Sequence, residues 1–491
     1  MSIALDHHAP RIALVGAVVL LLGVTPGRPA SPTAPAPATA APVTTAPGLA
    51  SGDAVSDGLL ALHQGDYSRA FEQFKRAVDA APGEPGPLFF CLFSRWWQMI
   101  FADETPARDT GAWTAFEQAY DAATGAAGAR LESTPGDPSA LTALGASEVL
   151  RAHLEAIAGG YFRAGGEARR GKKALRQALE RSPDLDEALF AMGALNYFAD
   201  RVPLVVKTIR PLLFLPGGDA PLGLSQVRRV AFGHGRLRID GRLLLGMVCA
   251  DHFQRAFKEA LAHLEVARAE TGDSPLIAAA IGDLQERLGE PDEAAATLGG
   301  AAERVLGPGP ERARQRRWLR LGQAEALAAG WRLDEADAAL RAAQEEPGTA
   351  SSAMQRLDRR IREELAVKRT ACPAGGDGDG TDRLGALGAV ILSDPAAPTP
   401  RLARGRLLYL AGRDQEALGD LAVAVDGSSD GPSWLQGWSQ IYAGLAEARL
   451  GHAAAARDHF RAASAVRRFR SSDRGLLELG ERGKDAALCA P

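Results

Sequence analysis

The chain has 491 residues, of which 46% are hydrophobic and 24% are charged. This composition is that of a folded globular protein, and it excludes a chain that is disordered or collagen-like over most of its length. The 56 Lys and Arg residues nearly balance the 60 Asp and Glu residues. This balance argues against a protein that chiefly binds nucleic acid, because that role needs a basic face.

The N-terminal segment has the features of a targeting sequence. Residues 12–24 form an uncharged apolar run that follows Arg11. The run has the length of a signal-peptide hydrophobic region and is shorter than the ~20 apolar residues of a membrane-spanning helix. We predict that residues 1–25 are a signal peptide or an uncleaved membrane anchor, with a cytoplasmic chain as the third alternative. The predicted location is extracytoplasmic, in the periplasm or cell envelope, with the protein either secreted or tethered.

Residues 26–51 are rich in Pro, Ala and Thr, and Arg28 is their only charged residue. A segment of this composition cannot bury apolar area, so we predict a disordered, extended linker. If the N-terminus stays in a membrane, this linker holds the folded part of the chain away from the lipid surface.

From residue 52 onwards the sequence contains several copies of a 34-residue pattern. The first copy carries small, aromatic and proline residues at fixed offsets: Gly58, Gly65, Tyr67, Ala70, Phe74, Ala77 and Pro82. These offsets resemble those of the tetratricopeptide repeat (TPR), a helix–turn–helix unit. In that family small residues stand where the two helices cross, an aromatic residue fills the gap beside them, and a proline ends the second helix.

Four further copies follow the same offsets. In 275–308 they are Ile281, Gly282, Gly289, Ala294, Leu298 and Ala301. In 398–431 they are Gly405, Leu408, Gly412, Ala417, Leu421 and Ala424. In 437–470 they are Gly444, Gly451, Ala456, Phe460 and Ala463, and in 152–185 they are Gly159, Phe162, Gly171, Leu175, Ala178 and Pro183.

The repeats predict an all-α fold, an α-α superhelix of stacked helical hairpins from about 52 to 485. No segment shows the sustained alternation of a β-domain. We expect a first TPR array over 52–371, a flexible acidic, Gly-rich inter-helix loop at 372–381, and a second array over 382–485. The resemblance implies a concave surface lined by the first helix of each hairpin, which is the default binding site of such solenoids.

Two apolar segments depart from the repeat pattern. Residues 87–103 are dense in aromatics, and Arg95, Trp96 and Trp97 are candidate partner-binding residues there. The alternative is a buried first helix, since aromatic stripes usually form core. Residues 202–216 are apolar and broken by prolines, and they either cap the core or form a groove for a peptide or an acyl chain.

A basic cluster at 312–320 places Arg312, Arg316 and Arg320 on one helical face. The alternatives are a solvated face or a site for an anionic partner, such as a peptide carboxylate or a lipid headgroup. Chaperone-binding TPR proteins use a clamp of Lys or Arg with two Asn. This chain cannot form that clamp in its usual form, because Asn196 is its only asparagine.

The motifs that would indicate catalysis each lack a residue that the chemistry requires. Residues 166–173 match G-x-x-x-x-G-K, but Lys173 stands where a phosphate-binding loop needs Ser or Thr. Residues 377–382 are acidic, yet the Gly and Glu positions of a calcium-binding loop are not met. No metal-ligand set and no nucleophile–base pair emerges, so we expect no enzyme, metal or cofactor.

The sequence therefore predicts a non-catalytic interaction scaffold that binds a protein or peptide, and not nucleic acid, on the concave face of a TPR solenoid. A membrane tether through residues 12–24 is part of this prediction. The alternative is a carrier or sensor of an apolar ligand that uses the segments at 88–101 and 202–216.

Overall fold

The computed structural model describes residues 52–100, 108, 110–200, 217–250, 256–272, 274–288, 290–330, 332–371, 380–428 and 433–466. Within these ranges every regular element is a helix, twenty in all, and none of these helices combines the length and apolarity needed to cross a bilayer. The predicted targeting segment (1–25), the linker (26–51) and residues 372–379 of the acidic loop lie outside the described residues. The last two residues of that predicted loop belong to a helix, because helix α16 begins at Gly380.

The helices fall into two compact units, and the sequence of the tenth helix is divided between them: residues 256–261 belong to the second unit and residues 262–272 to the first. The first ten helices are α1 (Gly52–His63), α2 (Tyr67–Ala80), α3 (Pro85–Ile100), α4 (Gly111–Ser133), α5 (Pro138–Ile157), α6 (Tyr161–Arg181), α7 (Asp186–Asp200), α8 (Ala220–Ala231), α9 (Arg238–Ala250) and α10 (Phe257–Thr271). The second ten are α11 (Pro275–Leu288), α12 (Pro291–Arg304), α13 (Pro310–Ala329), α14 (Leu333–Glu345), α15 (Ser352–Ala371), α16 (Gly380–Ser393), α17 (Pro398–Leu410), α18 (Asp414–Gly427), α19 (Ser433–Arg449) and α20 (Ala453–Ala465).

Odd-numbered helices are the first, or A, helices of hairpins, and even-numbered helices are the second, or B, helices. Within each unit the A helices pack against a neighbouring B helix, and most of them also pack against the A helix of the next hairpin, as α3 does against α5 and α13 against α15. This is the stacking that the repeats predict, since a single hairpin cannot bury its apolar stripe alone. The described part of the chain is therefore an all-α, TPR-like array, as expected from the sequence.

The glycines of the repeats mark the helix crossings. A Cβ atom on Gly58 would lie 2.4 Å from a ring carbon of Phe74, and one on Gly444 would lie 2.7 Å from the ring of Phe460. The helices approach this closely only because the side chain is missing. The predicted pairing of Gly282 with Leu298 and of Gly405 with Leu421 shows the same 2.7 Å approach.

Most of the other repeat residues that the structure describes lie in the core or in the turns between helices. Six are small or aromatic core residues with 3% exposure or less: Ala70, Phe74, Ala77, Ala294, Ala301 and Ala463. Ala456 and Phe460 are fully buried. Tyr67 begins α2, Pro82 follows its end, and Gly65 and Gly451 turn the chain between helices with positive φ angles of 71° and 83°. Gly289 lies outside the described residues.

In the copy predicted at 152–185 the first helix is wrong in register, whereas Leu175 and Ala178 of the second helix are buried in α6. The first helix was expected to contain Gly159, but the chain turns there, with φ of 79°, between α5 and α6. The actual crossing joins Gly145 to Gly171, where a Cβ atom on Gly171 would lie 2.8 Å from the Gly145 carbonyl oxygen. Helices α5 and α6 have 20 and 21 residues, against 12 and 14 in the first hairpin. The longer hairpin moves the turn away from the crossing.

The first unit turns back on itself. His63 at the end of α1 lies 3.2 Å from Asp240 near the start of α9, and both side chains are almost fully buried. Next to this pair, the Gln64 amide donates to the carbonyl oxygen of Thr271 at the end of α10, at 3.0 Å. The first and fifth hairpins of this unit are thus in direct contact.

Candidate functional site

A groove of about 560 Å³ lies in the second unit, where α13, α14 and α15 meet. It involves the helix that carries the predicted basic cluster. The residues that line it are Arg317, Leu321, Ala343, Gln344, Gly348, Ala350, Met354, Gln355, Asp358, Arg359 and Arg362.

The floor of the groove is apolar and belongs to the core of the unit. Leu321 of α13, Ala343 of α14 and Met354 of α15 are each no more than 2% exposed. Met354 lies in the first turn of α15, where its backbone N–H donates to the Ser351 hydroxyl at 3.2 Å. This cap fixes the start of α15 and with it the position of Met354 in the floor.

One wall is held by Arg317, a buried arginine of α13. Its Nε donates to the carbonyl oxygen of Ala343 at 3.1 Å, and its Nη2 donates to that of Gly348 at 2.8 Å and to that of Glu346. The last carbonyls of a helix have no partner within the helix, and Arg317 supplies one at the end of α14. The guanidinium therefore fixes the loop that closes the groove.

The rim on α15 is polar. Gln355, Asp358, Arg359 and Arg362 lie at i, i+3, i+4 and i+7, which places them on one face of the helix. Asp358 accepts from Gln344 at 2.6 Å and pairs with Arg362. Arg359 is exposed and makes no hydrogen bond or ion pair with any residue that the structure describes. Three arginines and one aspartate line the groove, a net charge of +2.

The predicted basic residues Arg312, Arg316 and Arg320 of α13 are not among the residues that line this groove. Arg316 donates to both carboxylate oxygens of Glu346 at 2.9 Å, and Arg320 lies 3.6 Å from the same carboxylate. Arg312 donates to Gln315 at 3.0 Å. The charges of Arg316 and Arg320 thus face an internal carboxylate, and Arg317 is the arginine of this helix that lines the groove. As partner-binding residues, the three predicted arginines stay a prediction.

The aromatic segment of α3 packs as a buried A helix, the alternative that the sequence offered. Trp97 is 4% exposed and packs edge-on against His63. Trp96 is half-buried, with its ring centroid 5.6 Å from that of His153. Arg95 lies 3.9 Å above the ring of Phe71, and burial lowers the pKa of its guanidinium. The apolar segment at 202–216 lies outside the described residues, so the carrier alternative stays a prediction.

A second charged cluster joins α5 and α6, the two helices of the third hairpin of the first unit. Three ion pairs, which we call the α5–α6 ladder, link them: Glu148 with Arg170 at 2.8 Å, Arg151 with Glu167 at 3.2 Å, and Glu155 with Arg163 at 3.1 Å. Residues 166–173 lie inside α6, so the apparent phosphate-binding motif is a stretch of continuous helix. Burial raises the pKa of Glu167 to about 7.

Three solved structures are similar to this chain at low sequence identity. A tetratricopeptide repeat protein from Parabacteroides merdae ATCC 43184 has 14% identity and a TM-score of 0.28, over 63% of this chain and 97% of its own. Yeast Tom70 has 11% identity and a TM-score of 0.29, over 88% of each chain. The Cut9–Hcn1 hetero-tetramer of APC/C has 12% identity and a TM-score of 0.21, over 88% and 92%.

No family model and no curated protein matches the sequence. The TM-scores are too low to support any argument, so the TPR-like assignment depends on the hairpins, the crossing glycines and the stacking of this chain itself.

Proposed function

We propose that this protein is a non-catalytic scaffold that binds a peptide segment of a protein partner in the groove between α13, α14 and α15. The observation that supports this proposal is the groove itself, which joins a buried apolar floor to a charged rim. Sites that bind ligands combine these two features, because apolar contact supplies affinity and a few polar groups fix orientation. Its volume of about 560 Å³ also lies within the usual range for such sites.

The helical surroundings suit a scaffold. The groove walls come from three helices of adjacent hairpins, and the Arg317 cap holds the connecting loop in place. A rigid wall lowers the entropic cost of binding, because the partner alone must be ordered. In the same proposal the protein works outside the cytoplasm, supported by the apolar run at 12–24.

The test is a substitution that fills the groove without changing charge. Gln355 is an exposed rim residue of α15, and Gln355→Trp would place an indole across the opening. The control is Ala366→Trp, at an exposed position of the same helix about three turns further on. Both full-length variants would be probed on an immobilised array of short peptides.

We expect the wild-type protein and Ala366→Trp to bind the same peptides, and Gln355→Trp to lose them. Equal binding by all three proteins would place the site elsewhere and contradict the groove. Circular dichroism with equal helix content in the three proteins would confirm that the loss is not caused by unfolding.

A further inference from the structure

We infer that the groove selects an acidic peptide segment, in which a carboxylate stands within two residues of an aliphatic side chain. This inference rests on the proposed function, since it names the partner chemistry of the same site. The groove differs from the chaperone-type clamp described above, because it uses no asparagine and would bind an internal acidic residue that stands next to an apolar one.

The charge of the rim favours an anion. The Arg317 guanidinium donates its hydrogen bonds to the carbonyl oxygens of Ala343, Glu346 and Gly348. Arg362 already forms an ion pair with Asp358. Arg359 has no such partner among the described residues, so it is the cation that an incoming carboxylate can pair with. Arginine binds carboxylates through two parallel N–H donors, which gives both strength and orientation.

The floor beside this arginine selects an apolar neighbour. Met354 and Leu321 are buried beneath the opening, and Met354 precedes the rim residue Gln355 in the first turn of α15. Methionine adapts its shape to different apolar partners. A Leu, Ile or Met side chain on the peptide would bury its own apolar surface against this floor, while its acidic neighbour stays at the rim.

The two glutamines on the rim are suited to the peptide backbone. The Gln344 amide nitrogen donates to Asp358 at 2.6 Å, and that of Gln355 donates to the Ala350 carbonyl at 2.9 Å. Both amide groups are thereby oriented, and each retains a carbonyl oxygen as an acceptor for a backbone N–H. An extended segment would use these acceptors between its apolar and acidic anchors.

The experiment uses the peptide array with each acidic peptide in two versions, one with Glu and one with Gln at the acidic position. The proteins are the wild type, Arg359→Glu, and the control Arg356→Glu, an equally exposed position of α15 outside the groove. We expect the wild type and the control to bind the Glu version about tenfold more tightly, the effect of one charged hydrogen-bonded contact.

Charge reversal gives the sharpest result. Arg359→Glu should lose its preference for the Glu version and gain affinity for a version with Lys at that position. Added salt should weaken the preference of the wild type. Equal binding of Glu and Gln versions by the wild type would overturn the inference and leave the proposed function intact. Failure of every peptide to bind the groove would instead overturn the proposed function.

A competition experiment with a fatty acid distinguishes a peptide ligand from a lipid ligand. A fatty acid also joins an apolar chain to a carboxylate, so oleate is tested as a competitor. If oleate displaces no peptide, the peptide is the occupant. If oleate binds through Arg359 and no peptide does, the groove belongs to a lipid carrier and the inference is wrong.

Discussion

His63 and Asp240 meet at 3.2 Å although they belong to the first and fifth hairpins of the same unit. Both are almost fully buried, so their contact is shielded from solvent and from salt. Removing one member of a buried polar pair leaves the other without its partner. We predict that Asp240→Ala lowers the free energy of unfolding by about 2 kcal/mol and increases hydrogen exchange in α1.

The control for this variant is Asp458→Ala, which breaks an exposed pair with Arg461 on α20. Exposed pairs contribute little, so its denaturation midpoint should equal that of the wild type. Unchanged exchange in α1 of Asp240→Ala would show that the two ends of the unit are held together by other contacts.

Substitution by alanine should lower the stability of the protein at Gly58 and raise it at Gly125. A Cβ atom on Gly58 would lie 2.4 Å from the buried ring of Phe74, whereas one on Gly125 in α4 meets no atom within 4 Å. We expect Gly58→Ala to destabilise the protein by about 2 kcal/mol through overpacking. Gly125→Ala should stabilise it by about 0.5–1 kcal/mol, because alanine loses less backbone entropy in a helix.

Thermal denaturation of the two variants beside the wild type measures this difference. The comparison is matched, since both positions are helical glycines of the same unit. A stabilised Gly58→Ala would mean that Phe74 moves aside freely, and that the repeat glycine is not a packing requirement.

The hairpins could be predicted from the sequence, because the residues that form each helix crossing lie close together in the chain. Gly58 and Phe74 are sixteen positions apart, as are Gly444 and Phe460, and this spacing encodes a standard hairpin directly. The crossing of Gly145 with Gly171 was missed, because its hairpin is longer on both sides of the turn and no longer matches a fixed period.

For the groove, the sequence indicated one of the helices that line it but not the orientation of the arginine side chains on that helix. The basic cluster at 312–320 lies on a helix that lines the groove, but the sequence could not show that Arg316 faces Glu346 while Arg317 turns inward. Those choices depend on where α14 ends. Arg359 and Arg362 gave no separate signal, since a charged helical face is ordinarily solvated.

The proposal that the protein works outside the cytoplasm can be tested with the N-terminal segment alone. Residues 1–51 fused to a phosphatase that is active only outside the cytoplasm should give activity in a bacterial host, because the apolar run at 12–24 has signal-peptide length. Deletion of 12–24 should abolish that activity. An active deletion variant would contradict the targeting role, and mass spectrometry of the full chain shows whether cleavage occurs.

Glu167 in the α5–α6 ladder makes the stability of the first unit depend on pH. Burial raises the pKa of its carboxyl to about 7, from an ordinary value of 4.5. The folded protein therefore holds this proton more tightly than the unfolded chain does, and the resulting stabilisation is complete below pH 4.5 and lost as the pH rises through 7. Glu167→Gln fixes the neutral form, so it should match the wild type at pH 4.5 and exceed its stability by about 2 kcal/mol at pH 8.

Urea denaturation across this pH range, followed as the difference between wild type and variant, isolates the contribution of this one carboxyl. Glu132→Gln on the exposed surface of α4 is the control, and its difference from the wild type should not change between pH 4.5 and 8. If Glu167→Gln were less stable than the wild type at pH 8, the ion pair with Arg151 would outweigh the cost of burial. The ladder would then stabilise the hairpin through its charged form, because Arg151 would hold the carboxylate ionised at neutral pH.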